Sequence, residues 1–185
     1  NIPIINGLSP SSHPTQVLSD IFTIQEIKKK SISKLKLCWI GDANNNMMNS
    51  LIEACIKFSV SLNIACPKNY QPNKKLISLI KKHKGNIKIF NKKEIAIKNS
   101  DVVMTDKIIS LNDKVNKKKK LKSFKNFKVD KKTMNLAKKD AIFLHCLPRG
   151  SEVTEEVFLG KQSKVWQQAL NLSLIHISEP TRPLY

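Results

Sequence analysis

Ala141-Ile142-Phe143-Leu144-His145-Cys146-Leu147-Pro148-Arg149-Gly150 is the stretch on which the fold turns. Four apolar residues follow the polar lead-in Lys138-Lys139-Asp140, which predicts a short buried strand. Pro148 cannot donate to a strand ladder and Gly150 relaxes the chain, so the strand ends at His145 and Cys146. A thiol and an imidazole then stand at the carboxyl end of a buried strand, the edge where open α/β sheets bind ligands. A core cysteine beside a hydrogen-bonded histidine fits the same pattern, and these residues alone leave both readings open.

Upstream, the chain alternates between strand and helix patterns. Lys36–Gly41 reads as the first strand, followed by the polar turn Asp42-Ala43-Asn44-Asn45-Asn46 and a helix with Met48, Ile52, Cys55 and Ile56 on one side. One of the three asparagines is expected to cap that helix. Strands are expected again at Leu62–Cys66, Ile87–Phe90 and Asp101–Asp106. Helical patterns separate them at Asn73–His83 and Lys92–Asn99, and another is expected over Lys131–Lys138. Short helices are expected to begin near Glu152 and Ser163. This order predicts an α/β fold with a Rossmann-like parallel sheet flanked by helices.

Before the first strand, Val17, Leu18, Ile21, Ile24 and Ile27 mark one face of a helix that Pro14 would open. His13 and Gln16 fall on its first turn, where free N–H groups and the positive dipole end attract an anion. Capping or solvent exposure explains the same two residues.

Composition narrows the function classes. No apolar run reaches the length of a membrane helix, and the start Asn1-Ile2-Pro3 is not a signal peptide. Cys38, Cys55, Cys66 and Cys146 are scattered, three of them within apolar patterns, which predicts reduced thiols in a cytoplasmic protein with neither disulfides nor a metal site. The net charge of +19 raises the possibility of nucleic-acid binding. Nearly all of it is lysine spread over every predicted helix, the only arginines being Arg149 and Arg182, so a solvated surface is the preferred reading. The densest run, Lys117–Lys120, is read as a solvated flank of the site, tied down by Leu121, Phe124 and Phe127. No GxGxxG follows Gly41, which argues against a dinucleotide, and no cofactor is expected.

Four stretches, in order, resemble the ornithine-binding half of the ornithine carbamoyltransferases. They are His13-Pro14-Thr15-Gln16 with Asp20; Gly41-Asp42-Ala43-Asn44-Asn45; Thr105-Asp106 with Ser110; and His145-Cys146-Leu147-Pro148 followed by Glu152-Val153-Thr154. The likeness runs from about Ile4 to Asn171. Cys146 separates it from the aspartate-specific relatives, which carry His-Pro-Leu-Pro here.

The resemblance implies one domain of a two-domain enzyme that carbamoylates the δ-amino group of L-ornithine with carbamoyl phosphate, giving citrulline and phosphate in arginine metabolism. His13, Pro14, Thr15 and Gln16 would contact carbamoyl phosphate, with His13 polarising its carbonyl. Asn45, Asp106, Ser110 and Leu111 would hold ornithine, and Cys146 with the Leu147 carbonyl would face the reacting amine. Homotrimers are the expected assembly, with no nucleic-acid or membrane partner.

Departures from the family are Ile108, Ser110-Leu111-Asn112, and Leu172 where an arginine is usual. The family's Ser-x-Arg-Thr-Arg phosphate loop does not occur in this sequence. The expected divisions are 1–30 as an interdomain helix with the carbamoyl-phosphate motif, 31–171 as the ornithine-binding domain, and 172–185 as an adapter-derived, non-native tail. On this reading the chain is truncated and inactive alone. A carbamoyltransferase for another amine, or a non-catalytic basic α/β module, remain the alternatives.

Overall fold

A computed structural model describes residues 4–109 and 116–177. Ser110 and Leu111, both expected at the site, lie outside the described residues.

Helix α1 (Pro14–Lys28) begins with proline in its first turn and ends at Lys29, whose φ of 50° closes the helix in the left-handed region. Strand β1 (Lys36–Ile40) follows, then α2 (Asn46–Lys57), β2 (Ser61–Ala65), α3 (Lys74–Lys82) and β3 (Ile87–Phe90). The second half holds α4 (Lys93–Ala96), β4 (Val102–Thr105), α5 (Lys117–Ser123), α6 (Lys131–Met134), β5 (Ile142–His145), α7 (Glu155–Phe158) and α8 (Val165–Ile177). All strand pairings are parallel, in the order β3-β2-β1-β4-β5. The α/β fold and its parallel sheet are thus as the sequence predicts.

Alternate strand residues point to opposite faces of a sheet, and each face here is covered. Leu37, Trp39, Leu62, Ile64, Met104 and Leu144 pack beneath α1, α2 and α3. Cys38, Ile40, Val103 and Phe143 face the other side, against Phe124, Phe127 and Phe158. Strands β1, β4 and β5 therefore read as nearly continuous apolar runs, while Asn63 interrupts β2 and exposed Lys88 interrupts the edge strand β3.

From β1 the chain moves outward to β2 and β3, then crosses back to place β4 on the other side of β1. The reversal opens a crevice between the carboxyl ends of β1 and β4. Gly41 makes the turn there with a φ of 146°, and a Cβ on it would lie 3.2 Å from Thr105 Oγ1.

Several expectations are corrected. The helix predicted over Lys131–Lys138 stops at Met134, because Asn135 to Ala137 close in turns instead. Lys120 is not solvated: it is 5% exposed and its Nζ lies 2.7 Å from Asp42 Oδ2. Phe124 and Phe127 are buried anchors as expected, whereas Leu121 is exposed. On α1, Val17 and Ile24 are buried, while Leu18 and Phe22 are 50% and 55% exposed. Helix α8 runs through residue 172, where the non-native tail is expected to begin, and that division stays a proposal.

Candidate functional site

A cavity of about 470 Å³ opens at this crevice. Its walls come from the loop before α1 (Leu8, Ser9, Pro10), from His13 and Gln16, from Asn46 and Met47, from Asp106 and Lys107, and from Cys146, Leu147 and Pro148. Five of the expected residues, His13, Gln16, Asp106, Cys146 and Leu147, are therefore brought together from the start of α1 and from the ends of β4 and β5. A second cavity of about 310 Å³ touches Gln16, Cys146 and Leu147 from the α8 side, where Leu172 lines it.

Asn45 is not among the lining residues. Its Oδ1 accepts the Met48 N–H at 2.8 Å and its Nδ2 donates to the Asp42 carbonyl at 3.2 Å, so it is the residue that caps α2. Asn46 lines the cavity in its place. Its Nδ2 donates to the Ser9 carbonyl at 2.9 Å, leaving Oδ1 as an acceptor. The sequence alone does not separate the two, since Met47 and Met48 are both apolar and both buried, and the register of the cap follows only from where the helix starts.

Pro14 and Thr15 do not line the cavity either. Pro14 starts α1, and buried Thr15 donates its hydroxyl to the Gly7 carbonyl at 2.7 Å. His13 stands against the same carbonyl, with Nδ1 at 2.8 Å, while its N–H donates to Ser50 Oγ at 2.9 Å. Two side chains thus hold the Leu8–Pro10 wall in place.

Asp106 is half-buried and accepts its neighbour Lys107's N–H at 2.7 Å. Burial pushes its carboxyl up, against the opposing pull of that N–H and of the nearby His145. Burial also holds the Cys146 thiol well above 9, and the Asp106 and Asp20 carboxylates add to the effect. Cys38, Cys55 and Cys66 are buried and pushed up to about 12. At pH 7.5, Ellman's reagent should therefore find at most one thiol in the native chain, reacting roughly ten times slower than free cysteine or less. All four should react after unfolding; two or more fast thiols in the native chain would contradict this burial.

His145 is structural. Its N–H donates to Gln168 Oε1 at 3.0 Å, its Nε2 lies 2.9 Å from Glu152 Oε1, and its Nδ1 faces the Cys146 carbonyl. Glu152, buried at 2% exposure, also takes the Gly150 N–H. Gly150 is needed there, because a Cβ would meet Glu152 Oε2 at 2.7 Å. Together these bonds pin the Leu147–Gly150 loop that forms one cavity wall. Glu152, Gln168 and Lys107 went unassigned in the sequence; only their placement in the fold shows their role.

Known proteins share both sequence and architecture with this chain. A family model described as aspartate/ornithine carbamoyltransferase, Asp/Orn binding domain, matches residues 33–176. The ornithine carbamoyltransferase of Methanococcus aeolicus is 42% identical over 179 residues, covering 92% of this chain and 58% of the relative. That of Caldicellulosiruptor saccharolyticus is 44% identical over 178 residues, with 92% and 57% covered. Among solved structures, the anabolic ornithine carbamoyltransferase of Campylobacter jejuni superposes with a TM-score of 0.84 at 39% identity, over 95% of this chain and 61% of that one. The Pyrococcus furiosus ornithine carbamoyltransferase gives 0.83 at 37% identity, over 92% and 56%. The chain thus spans less than two thirds of the length of these relatives. With its parallel sheet and these matches in agreement, the chain belongs to the aspartate/ornithine carbamoyltransferase family and carries that family's Asp/Orn binding domain.

Proposed function

We propose that this chain supplies the L-ornithine side of an ornithine carbamoyltransferase active site, which joins the carbamoyl group of carbamoyl phosphate to the δ-amino nitrogen. The observation that carries the reading is the convergence of Asn46, Asp106 and Cys146 on one cavity. The free Asn46 Oδ1 and the Asp106 carboxylate suit an α-ammonium group, and Lys107 suits an α-carboxylate. Cys146 and the Leu147 carbonyl stand where the δ-amine would lie. Half-burial at this end favours the neutral, nucleophilic amine.

In the reaction the amine lone pair would attack the carbamoyl carbon, the C–O bond to phosphate would break, and the amine would shed its proton. Gln16 and His13 border the place of the carbamoyl group. With His13 Nδ1 held by the Gly7 carbonyl, polarisation of the carbamoyl oxygen through Nε2 requires the doubly protonated ring. Orientation and charge stabilisation would supply the acceleration without a covalent intermediate. Ser110 and Leu111 remain proposed ornithine contacts. The relatives' greater length is the proposed source of the phosphate grip, so this chain alone is expected to form no citrulline. A role in arginine biosynthesis, a cytoplasmic setting and a homotrimeric enzyme belong to the same proposal.

Titrating the ¹⁵N-labelled chain with L-ornithine should give saturable shifts at Asn46, Asp106, Lys107 and Cys146, with smaller effects at Asn45. Putrescine, which lacks the α-carboxylate, should bind about tenfold more weakly or less, the loss of one charge-assisted contact. Equal shifts with both ligands, or shifts that avoid the cavity, would count against an amino-acid site.

A further inference from the structure

Asp20 lies in the middle of α1 with its side chain fully buried. One carboxyl oxygen, Oδ1, accepts two hydrogen bonds: from Gln16 Nε2 at 2.9 Å and from Gln168 Nε2 at 2.6 Å. The other, Oδ2, is sealed from solvent and has no hydrogen-bond partner among the described residues. The two glutamines sit on different helices, α1 and α8, and Ser19 Oγ fastens the same crossing by donating to the Gln168 carbonyl at 2.9 Å.

An amide side chain donates at one end and accepts at the other, so committing the nitrogen decides where the oxygen goes. At Gln168 the oxygen takes the N–H of His145, the last residue of β5, at 3.0 Å. At Gln16, which borders both cavities, the oxygen is the end left for a ligand.

We propose that Asp20 is a positioning residue that fixes the orientation of both amides, so that Gln16 presents a carbonyl oxygen to the cavity and that end of the site takes a ligand N–H. Through Gln168, Asp20 Oδ1 also ties the first turn of α1 to His145, the end of β5 next to Cys146. The inference concerns this chain's own side chains and stands whether or not the amino acid bound beside them is ornithine.

The carboxyl group is placed to report on this arrangement. Burial pushes it up to about 7, the Gln16 and Gln168 bonds oppose the rise, and the Asp106 carboxylate adds to it. The neighbours that bear on it are the amide Gln168 from α8, the Cys146 thiol from the end of β5, and Asp106 from the loop after β4. No cation pairs with it among the described residues. Its protonation should therefore be felt at both glutamine nitrogens near neutral pH.

The test is NMR of the 185-residue chain labelled on glutamine side chains. The NH₂ protons of Gln16 and Gln168 should exchange about tenfold more slowly than those of exposed Gln25 or slower, as expected of buried, bonded amides. Gln16 NH₂ should show cross-relaxation to Asp20 Hβ, and both nitrogens should shift with pH through one shared midpoint. Asp20→Asn, which keeps a carbonyl oxygen in place, should retain the slow exchange and lose the shared midpoint. Asp106→Asn should displace that midpoint but not remove it. Exchange as fast as at Gln25, a shared midpoint that survives Asp20→Asn, or Gln16 NH₂ contacts to Leu147 instead of Asp20 would each overturn the proposal.

Discussion

Asp42→Ala is expected to lower the unfolding free energy by about 2–3 kcal/mol, the usual cost of losing a buried, charge-assisted contact. Lys120 Nζ lies 2.7 Å from Asp42 Oδ2, and both side chains are less than a tenth exposed. The ammonium also stands 5.7 Å from the centre of the Tyr70 ring. Asp42 Oδ1 further accepts the Asn44 N–H at 2.9 Å, so the substitution unties the turn after β1 as well. Urea unfolding followed by circular dichroism measures the loss. The Lys131–Glu156 pair has the same 2.7 Å separation but is mostly exposed, and its removal should be near silent. A small effect at Asp42, comparable to that at Glu156, would mean that the pair is hydrated in solution.

Glu152→Ala should cost about 3–5 kcal/mol, since it leaves a buried imidazole nitrogen, His145 Nε2, and the half-buried Gly150 N–H without their acceptor. Burial alone would raise the carboxyl, but the bonds from His145 and Gly150 outweigh it and hold the group below its ordinary 4.5. A depressed carboxyl contributes stability that is complete above pH 4.5 and lost as the pH falls through the lower, folded-state value. Glu152→Gln keeps a hydrogen-bonding side chain, so its cost at neutral pH should be smaller than that of alanine. It should also erase this acid-side dependence. If the glutamine variant keeps the wild-type slope below pH 4.5, another carboxylate is responsible.

Much of this architecture was legible because the strands are buried on both faces and read as short apolar runs between polar turns. The α/β class, the parallel sheet and the rim position of His13, Gln16, Asp106 and Cys146 follow from that pattern together with the family motifs. Asn45 and Asn46 show where a linear reading loses resolution. They are adjacent and chemically identical, and only the helix start decides which one caps and which one faces the cavity. Lys120 shows a second limit. A run of four lysines carries no mark of the one whose partner, Asp42, sits on the far side of a parallel crossover. Glu152 and Gln168 were missed for a related reason: they act by holding His145, and that relation exists only after β5 and α8 have docked.

The strand order carries a consequence for how the chain is made. The cavity draws its walls from Leu8 at one extreme to Pro148 at the other, and Gln168 braces it from behind. During synthesis β1 to β4 can assemble while the last edge strand is still inside the ribosome. A ligand that needs this whole cavity cannot template the earlier strands, because the cavity lacks a wall until Pro148 has emerged. It can only slow the unravelling of a finished molecule, by the mass-action stabilisation of a state already complete.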